Sequence, residues 1–241
     1  MEENLLKDWE KFRLTEDEEA IVCKDFEEAT DEGSKSQICV SLIGKMLTGR
    51  PFNFEAMKKT LTSIWRLHNH VAIRMIETNL FVFQFFSIED KERILEGCPW
   101  SFDNQILCLK EIHPDEQPSD IQFTHTPFWV RLLDVPFGKR NSSFAYDIGE
   151  CLGGYLDYDS VDYLGWDEFM RIKVMIDIRK PLRRGVRLAT GKGEATWLDI
   201  KYKRLGDFCY YCGRLSHTDR NCHYQEETVE KGTVVVYQYG T

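Results

Sequence analysis

The chain lacks any run of about eighteen apolar residues, so it offers no helix able to cross a membrane. Its opening stretch, MEENLLKDWEKF, places charges where a signal peptide needs an unbroken apolar segment. These absences point to the nucleus or cytoplasm, where thiols stay reduced. Enzyme signatures are missing as well. There is no G-x-x-x-x-G-K-[ST], no H-E-x-x-H and no G-x-S-x-G. His68, His70, His113 and His125 fall in turns or linkers without an evident nucleophile beside them. The chain is therefore expected not to be an enzyme.

What is present suffices for a packed protein: 241 residues, 42% hydrophobic and 13% aromatic, enough for one large domain or two ordinary ones. The formal net charge of −9 conceals an opposition. Residues 1–34 alone carry −9, and 169–224 carry +8. A polyanion meets the local field rather than the average, so the basic segment is a candidate nucleic-acid surface. The acidic head reads as a solvated arm with a short helix at Leu5, Leu6, Trp9 and Phe12, or as an internal phosphate mimic that covers that surface.

The sharpest motif is CYYCGRLSHTDRNC, in which Cys209, Cys212, His217 and Cys222 follow C-x2-C-x4-H-x4-C. Three thiolates and one imidazole complete a tetrahedral zinc shell with no open position, so one structural Zn2+ is expected. Gly213 follows the second cysteine, where a tight turn favours a residue without Cβ. Cys23, Cys39, Cys98, Cys108 and Cys151 are scattered in apolar context and read as small core residues rather than a disulfide framework.

Periodicity divides the chain into an arm at 1–34, a first domain at 35–112, a polar linker at 113–125, a second domain at 126–205, the knuckle at 206–224 and a tail at 225–241. In the first domain the pattern predicts a strand from Ile38 through Ile43, ending near Gly44. A helix capped by Asn53 follows, then strands at Val71–Ile76 and Leu80–Phe86, a helix after Ser87, and a strand at Ile106–Leu109. This βαββαβ order is the ferredoxin-like, RRM-like plan, in an α+β chain. Phe81, Phe83 and Phe85 share one face, expected to pack against the helices. The other face, with Leu80, Val82 and Gln84, then has no ring for stacking. The first domain is accordingly expected to serve protein contacts, including self-association. The second is read as an α+β meander. It has a strand at Phe128–Leu133, a helix from Ser142 or Ser143, an alternating strand at Phe169–Ile178, a basic turn region over Pro181–Gly193 and a return strand at Thr196–Tyr202.

Several stretches carry a family likeness: LIGKMLTGRPFNFEAMKKTLTSIWRL at 42–67, NLFVFQFFSIEDKERILEGCPWSFDNQILCLK at 79–110, PFWVRLLDVP at 127–136, DEFMRIKVMIDIRKPLRRG at 167–185 and YKRLGDFCYYCGRLSHTDRNC at 202–222. The chain resembles plant proteins that join the domain of unknown function DUF4283 to a CCHC zinc knuckle, a pair typical of the first protein of plant LINE retrotransposons. The resemblance implies a zinc-dependent RNA- or DNA-binding protein of retrotransposon origin. In knuckles of the retroviral type the residue after the first cysteine stacks on an exposed base, and Tyr210 holds that position. Thr218 and Ser216 stand where such knuckles carry an apolar residue and a glycine. Arg214 and Arg220 flank the site, and Tyr211 either stacks or packs the knuckle. Arg179, Lys180, Arg183, Arg184 and Arg187 form a second candidate contact, a turn able to follow a phosphate backbone. The expected partner is single-stranded RNA or DNA bound with little sequence preference. The competing expectation is an assembly scaffold in which zinc is only a staple. The strand-like VVVYQY before Thr241 suggests a longer natural protein.

Overall fold

The computed structural model describes residues 32–114, 116–159, 168–189 and 193–240. The helix expected near Leu5–Phe12 and the acidic run after it lie outside the described residues. The chain divides into two compact units, 1–37 and 38–241, and the second holds both sheets and the cysteine cluster. A short helix, α1 (Glu32–Cys39), takes up Ile38, so the expected first strand starts later, as β1 (Ser41–Met46).

The first half continues with α2 (Phe54–Trp65), β2 (Val71–Glu77), β3 (Leu80–Phe85), α3 (Ile88–Glu96), β4 (Trp100–Phe102) and β5 (Gln105–Glu111). Its sheet runs β2-β3-β1-β5-β4, antiparallel throughout. The caps follow from side-chain chemistry. Asn53 accepts from the Ala56 N–H at 3.0 Å and Ser87 from the Asp90 N–H at 3.1 Å, satisfying otherwise orphaned donors. Met57, Leu61 and Trp65 recur every fourth residue and bury one face of α2 against Phe81, Phe83 and Phe85, as the alternation required. Burying each such side chain stabilises by about 1.5–3 kcal/mol. Gly44 is dictated by this packing, because a Cβ there would lie 2.6 Å from Phe83 and 2.8 Å from Leu109. Asp90, only 1% exposed, ties α3 to the turn after α2. It accepts from the His68 and Asn69 backbone N–H groups at 3.3 and 3.2 Å and from Arg93 at 2.8 Å. Burial alone would raise its pKa, but these donors outweigh burial and hold the carboxyl well below the usual range.

The second half comprises β6 (His125–Leu133), α4 (Ser142–Leu152), β7 (Tyr155–Tyr158), β8 (Phe169–Asp177), β9 (Gly185–Ala189) and β10 (Ala195–Tyr202), in the antiparallel order β7-β8-β6-β10-β9. The helix α4 starts at Ser142, as expected, and Asn141 caps it; its extended backbone brings the amide oxygen to the Phe144 N–H at 2.9 Å. Phe144, Ala145, Ile148 and Leu152 pack on the inner face formed by Phe128, Val130, Leu132, Ile172, Val174 and Ile176. Ile106 and Cys108, from β5 of the first sheet, belong to this same core. Burial pushes the Cys108 thiol up to about 12, so it is an inert packing group. Ile121 and Phe123 pack on Ile43 and Leu80, covering part of the first sheet's other face.

The strand β9 corrects the reading of Pro181–Gly193 as one turn. Val186 and Leu188 point to the core and pair Gly185–Ala189 with β10, an alternation that the intervening arginine disguises. The short strands β4 and β7 were also not expected. The terminal VVVYQY forms no strand. It runs back over the knuckle instead.

Candidate metal centre and nucleic-acid interface

The knuckle begins with an isolated bridge between Phe208 and Leu215 that pins the ends of a tight turn. Within it the Cys209 N–H donates to the Arg214 carbonyl at 3.0 Å, and the Gly213 N–H to the Cys209 carbonyl at 2.8 Å. Gly213 has φ +73°, the left-handed conformation expected there, and any Cβ would also strike the Tyr239 ring. A 3-10 turn at Asp219–Asn221 delivers Cys222 to the start of a last helix, α5 (His223–Glu230).

These turns gather the four ligands. Their ligating atoms all lie within 4.8 Å of one another, with Cys212 Sγ 3.3 Å from His217 Nε2. A tetrahedral zinc shell needs ligand atoms separated by roughly 3.5–3.8 Å, given Zn–S near 2.3 Å and Zn–N near 2.0 Å. Cys209 and Cys222 are buried, and Cys212 and His217 half-buried. Burial pushes the Cys212 thiol up to about 12, raises Cys222 and lowers the His217 imidazole. A divalent cation offsets this cost by taking the thiols as thiolates beside a neutral imidazole, so the donor set suits zinc. With four protein ligands no position is left for a reacting molecule, and such a centre is structural.

The residues expected to touch nucleic acid divide into several environments. Tyr210 is 44% exposed, edge-on to Phe208 with centroids 5.4 Å apart, and leaves ring surface open to solvent. Tyr211 packs inward instead: its hydroxyl bonds Thr228 on α5 and its ring meets Tyr237 edge-on at 6.3 Å. Arg214 lies over the Tyr224 ring at 5.3 Å and donates to the Arg179 carbonyl. Arg220 is exposed. Of the basic stretch, Arg179 grips Asp177 with two bonds of 2.9 Å, and Lys180 lies 3.3 Å from the same carboxylate. The Arg179 hydrogen bond is the main cause holding the Asp177 carboxyl well below its usual range. Arg183 donates to Cys151 Sγ at 3.2 Å, and Arg184 donates to the Gln238 carbonyl while lying over Tyr239 at 5.5 Å. Arg187 stands apart from these four, exposed on β9 opposite Trp197.

Lys201 and Lys203, which follow the basic turn in sequence, join a further group that the register brings together. On the outer face of the second sheet, Lys201, Arg131 and Arg171 stand directly opposite one another across β10, β6 and β8. In the neighbouring row Trp129 faces Lys173, and the Lys203 N–H donates to the Trp129 carbonyl at 2.8 Å. Comparing the alternate positions of 127–133 with those of 169–177 would have placed these residues on one face, but only the register reveals that cations meet cations.

Comparison with known proteins matches two parts of the chain. Residues 35–120 match the family described as a domain of unknown function, DUF4283, and residues 176–224 match the zinc knuckle family. An uncharacterized protein of Arabidopsis thaliana is 27% identical over 135 residues, 55% of this chain and 42% of that protein. The chain thus covers less than half of that relative's length.

Proposed function

For a chain that carries a DUF4283 domain ahead of a zinc knuckle, we propose the function of a zinc-dependent, largely sequence-tolerant binder of single-stranded RNA or DNA, of retroelement origin and acting in the nucleus or cytoplasm. One zinc ion orders the knuckle. Tyr210 offers a stacking surface, and Arg220 with the Arg179–Arg184 turn supplies positive charge. The observation that carries this reading is the convergence of the four ligand atoms within 4.8 Å, with an exposed tyrosine on the residue after the first of them. No step requires a catalytic group, and the chain is read as a non-enzyme.

Labelled RNA and single-stranded DNA are expected to bind the zinc-loaded protein at low salt, with log K falling by about 0.7 per neutralised phosphate as log salt rises. Absence of binding to both sinks the reading. Tyr210→Ala is expected to cost about 1–3 kcal/mol of affinity without loss of zinc. An unchanged affinity would remove the stacking role.

One observation favours a second reading, an assembly scaffold. Leu215 is 3% exposed within the second core, and the Leu182 N–H donates to the Gly213 carbonyl at 2.7 Å, so the knuckle staples the domain. Concentration-dependent self-association through residues 35–112 in gel filtration, with no nucleic-acid affinity, would favour it.

A further inference from the structure

The outer face of the second sheet combines three properties that fit one ligand. The first is the arrangement of charge. Lys201, Arg131 and Arg171 occupy one cross-strand row, an arrangement of like charges that costs stability in a sheet. Arg171 is paired with Asp159 at 2.5 Å. Arg131, Lys201 and Lys203 have no carboxylate within ion-pair distance among the described residues. Lys203 also carries the imprint of this crowding: burial first, then the neighbouring Arg171, Arg204 and Arg131, lower its pKa.

The second property is an aromatic platform beside these cations, with Asp157 opposite Lys173 at its edge. Trp129 is half-buried, with Arg171 5.2 Å and Lys173 5.9 Å from its ring centroid. It also lines a cleft of about 320 Å³ between this face and the end of α3, together with Trp100 and Trp65. The Trp65 indole N–H has no hydrogen-bond partner among the described residues. The third property is rigidity. Lys173 donates to the Glu96 carbonyl at 2.7 Å and Arg204 to the Gly97 carbonyl at 3.1 Å, so the cleft wall is fixed to the end of a helix.

We propose that this face is a second nucleic-acid contact, in which the Lys201–Arg131–Arg171 row and Lys203 follow the phosphates of a single strand while Trp129 stacks one base. The inference rests on the reading that the chain binds single-stranded nucleic acid. It adds a surface outside the knuckle and outside the basic turn. An acidic protein segment would use the cations but has no need of the tryptophan, which is why a nucleic acid is the favoured occupant. Lys203 precedes Cys209 by only six positions, so a strand leaving the face has the knuckle next along the chain.

The test uses the full zinc-loaded chain and a labelled uridine dodecamer, read by anisotropy over a salt series. Removing three phosphate contacts in R131Q/K201Q/K203Q is expected to flatten the salt slope by about 2 and to weaken binding roughly tenfold or more at low salt. Zinc content should hold, and the melting temperature should hold or rise, because like charges are relieved. Trp129→Leu is expected to weaken binding about fivefold or more with the slope unchanged. In the unaltered chain, a 4-thiouridine oligomer is expected to crosslink to the β6 peptide that holds Trp129. If the wild type binds while the triple variant keeps its affinity and slope and no β6 crosslink forms, the face is not a contact and the knuckle reading stands alone. If a poly-glutamate peptide competes as well as the oligomer and Trp129→Leu is neutral, the face serves acidic proteins and the proposal fails. If the wild type binds no oligomer, the underlying function fails with it.

Discussion

The two five-stranded sheets are built alike and finished differently. Each buries one face against helices, α2 and α3 on the first and α4 on the second. The first sheet's other face is partly covered: Ile43 and Leu80 lie under Ile121 and Phe123, while Ile106 and Cys108 enter the neighbouring core, and Lys45, Arg74 and Lys110 stay exposed. The second sheet's other face keeps Trp129, Arg131, Arg171, Lys173 and Lys201 in alternate, half-buried or exposed positions. A face partly roofed by its own chain leaves less surface for recognition than one whose central outward positions hold Trp129, Arg131, Arg171 and Lys201, with Asp157, Asp159 and Asp199 around them. Fold alone does not distinguish them; the residues at the outward positions do.

The two sheets should differ most in their dependence on the metal. Structural zinc contributes on the order of 10–16 kcal/mol to small knuckles, and this one anchors Leu215 and Leu182 in the second core. Chelation, or Cys222→Ser, is expected to strip hydrogen-exchange protection from β9 and β10 while β1 and β3 keep theirs. Equal loss in both sheets would mean that the halves do not differ in their dependence on zinc.

A smaller effect, confined to the first sheet's helical layer, is expected from Asp90→Ala. It strands Arg93 and two backbone donors and should cost about 3 kcal/mol, measured by denaturant unfolding. Because the folded pKa of Asp90 lies below its ordinary 3.8, the carboxylate's contribution is present above that pH and is lost as pH falls further. Unfolding curves for wild type and variant should therefore converge on acidification; a constant gap would contradict the role of its charge.

Gly44→Ala probes how tightly the first sheet is packed. Its new methyl meets Phe83 and Leu109, and a loss of about 1–3 kcal/mol is expected. The smallest change should have the opposite sign. Lys201→Thr on the open face relieves a like-charge row and is expected to raise stability by up to about 1 kcal/mol, seen as a higher melting temperature. A destabilised Lys201→Thr would mean that the row is held by partners other than those visible at its register.

Local chemistry was readable and distant register was not. Asn53, Ser87 and the ligand spacing act within a few residues, so caps and knuckle could be assigned from neighbours alone. Phe81, Phe83 and Phe85 declared their face by simple alternation. The strand β9 escaped because Arg183, Arg184 and Arg187 dominate a segment whose inward side chains are only Leu182, Val186 and Leu188. Neighbouring residues do not decide whether Tyr211 stacks or packs, because its partners Thr228 and Tyr237 follow 17 and 26 positions later. The row of Lys201, Arg131 and Arg171 spans 70 positions of sequence and exists only once β10, β6 and β8 are aligned.

The two residues that β5 lends to the neighbouring core tie the two halves of the chain together. The DUF4283 match ends at 120, one residue before Ile121 completes the first sheet's cover, and the knuckle match starts at 176, inside β8. Units that recur in sequence are here joined like a mortise and tenon, with Ile106 and Cys108 as the tongue. A first half cut free at residue 120 would bare that tongue and behave as a sticky fragment, while the remainder would keep a socket with nothing to fill it.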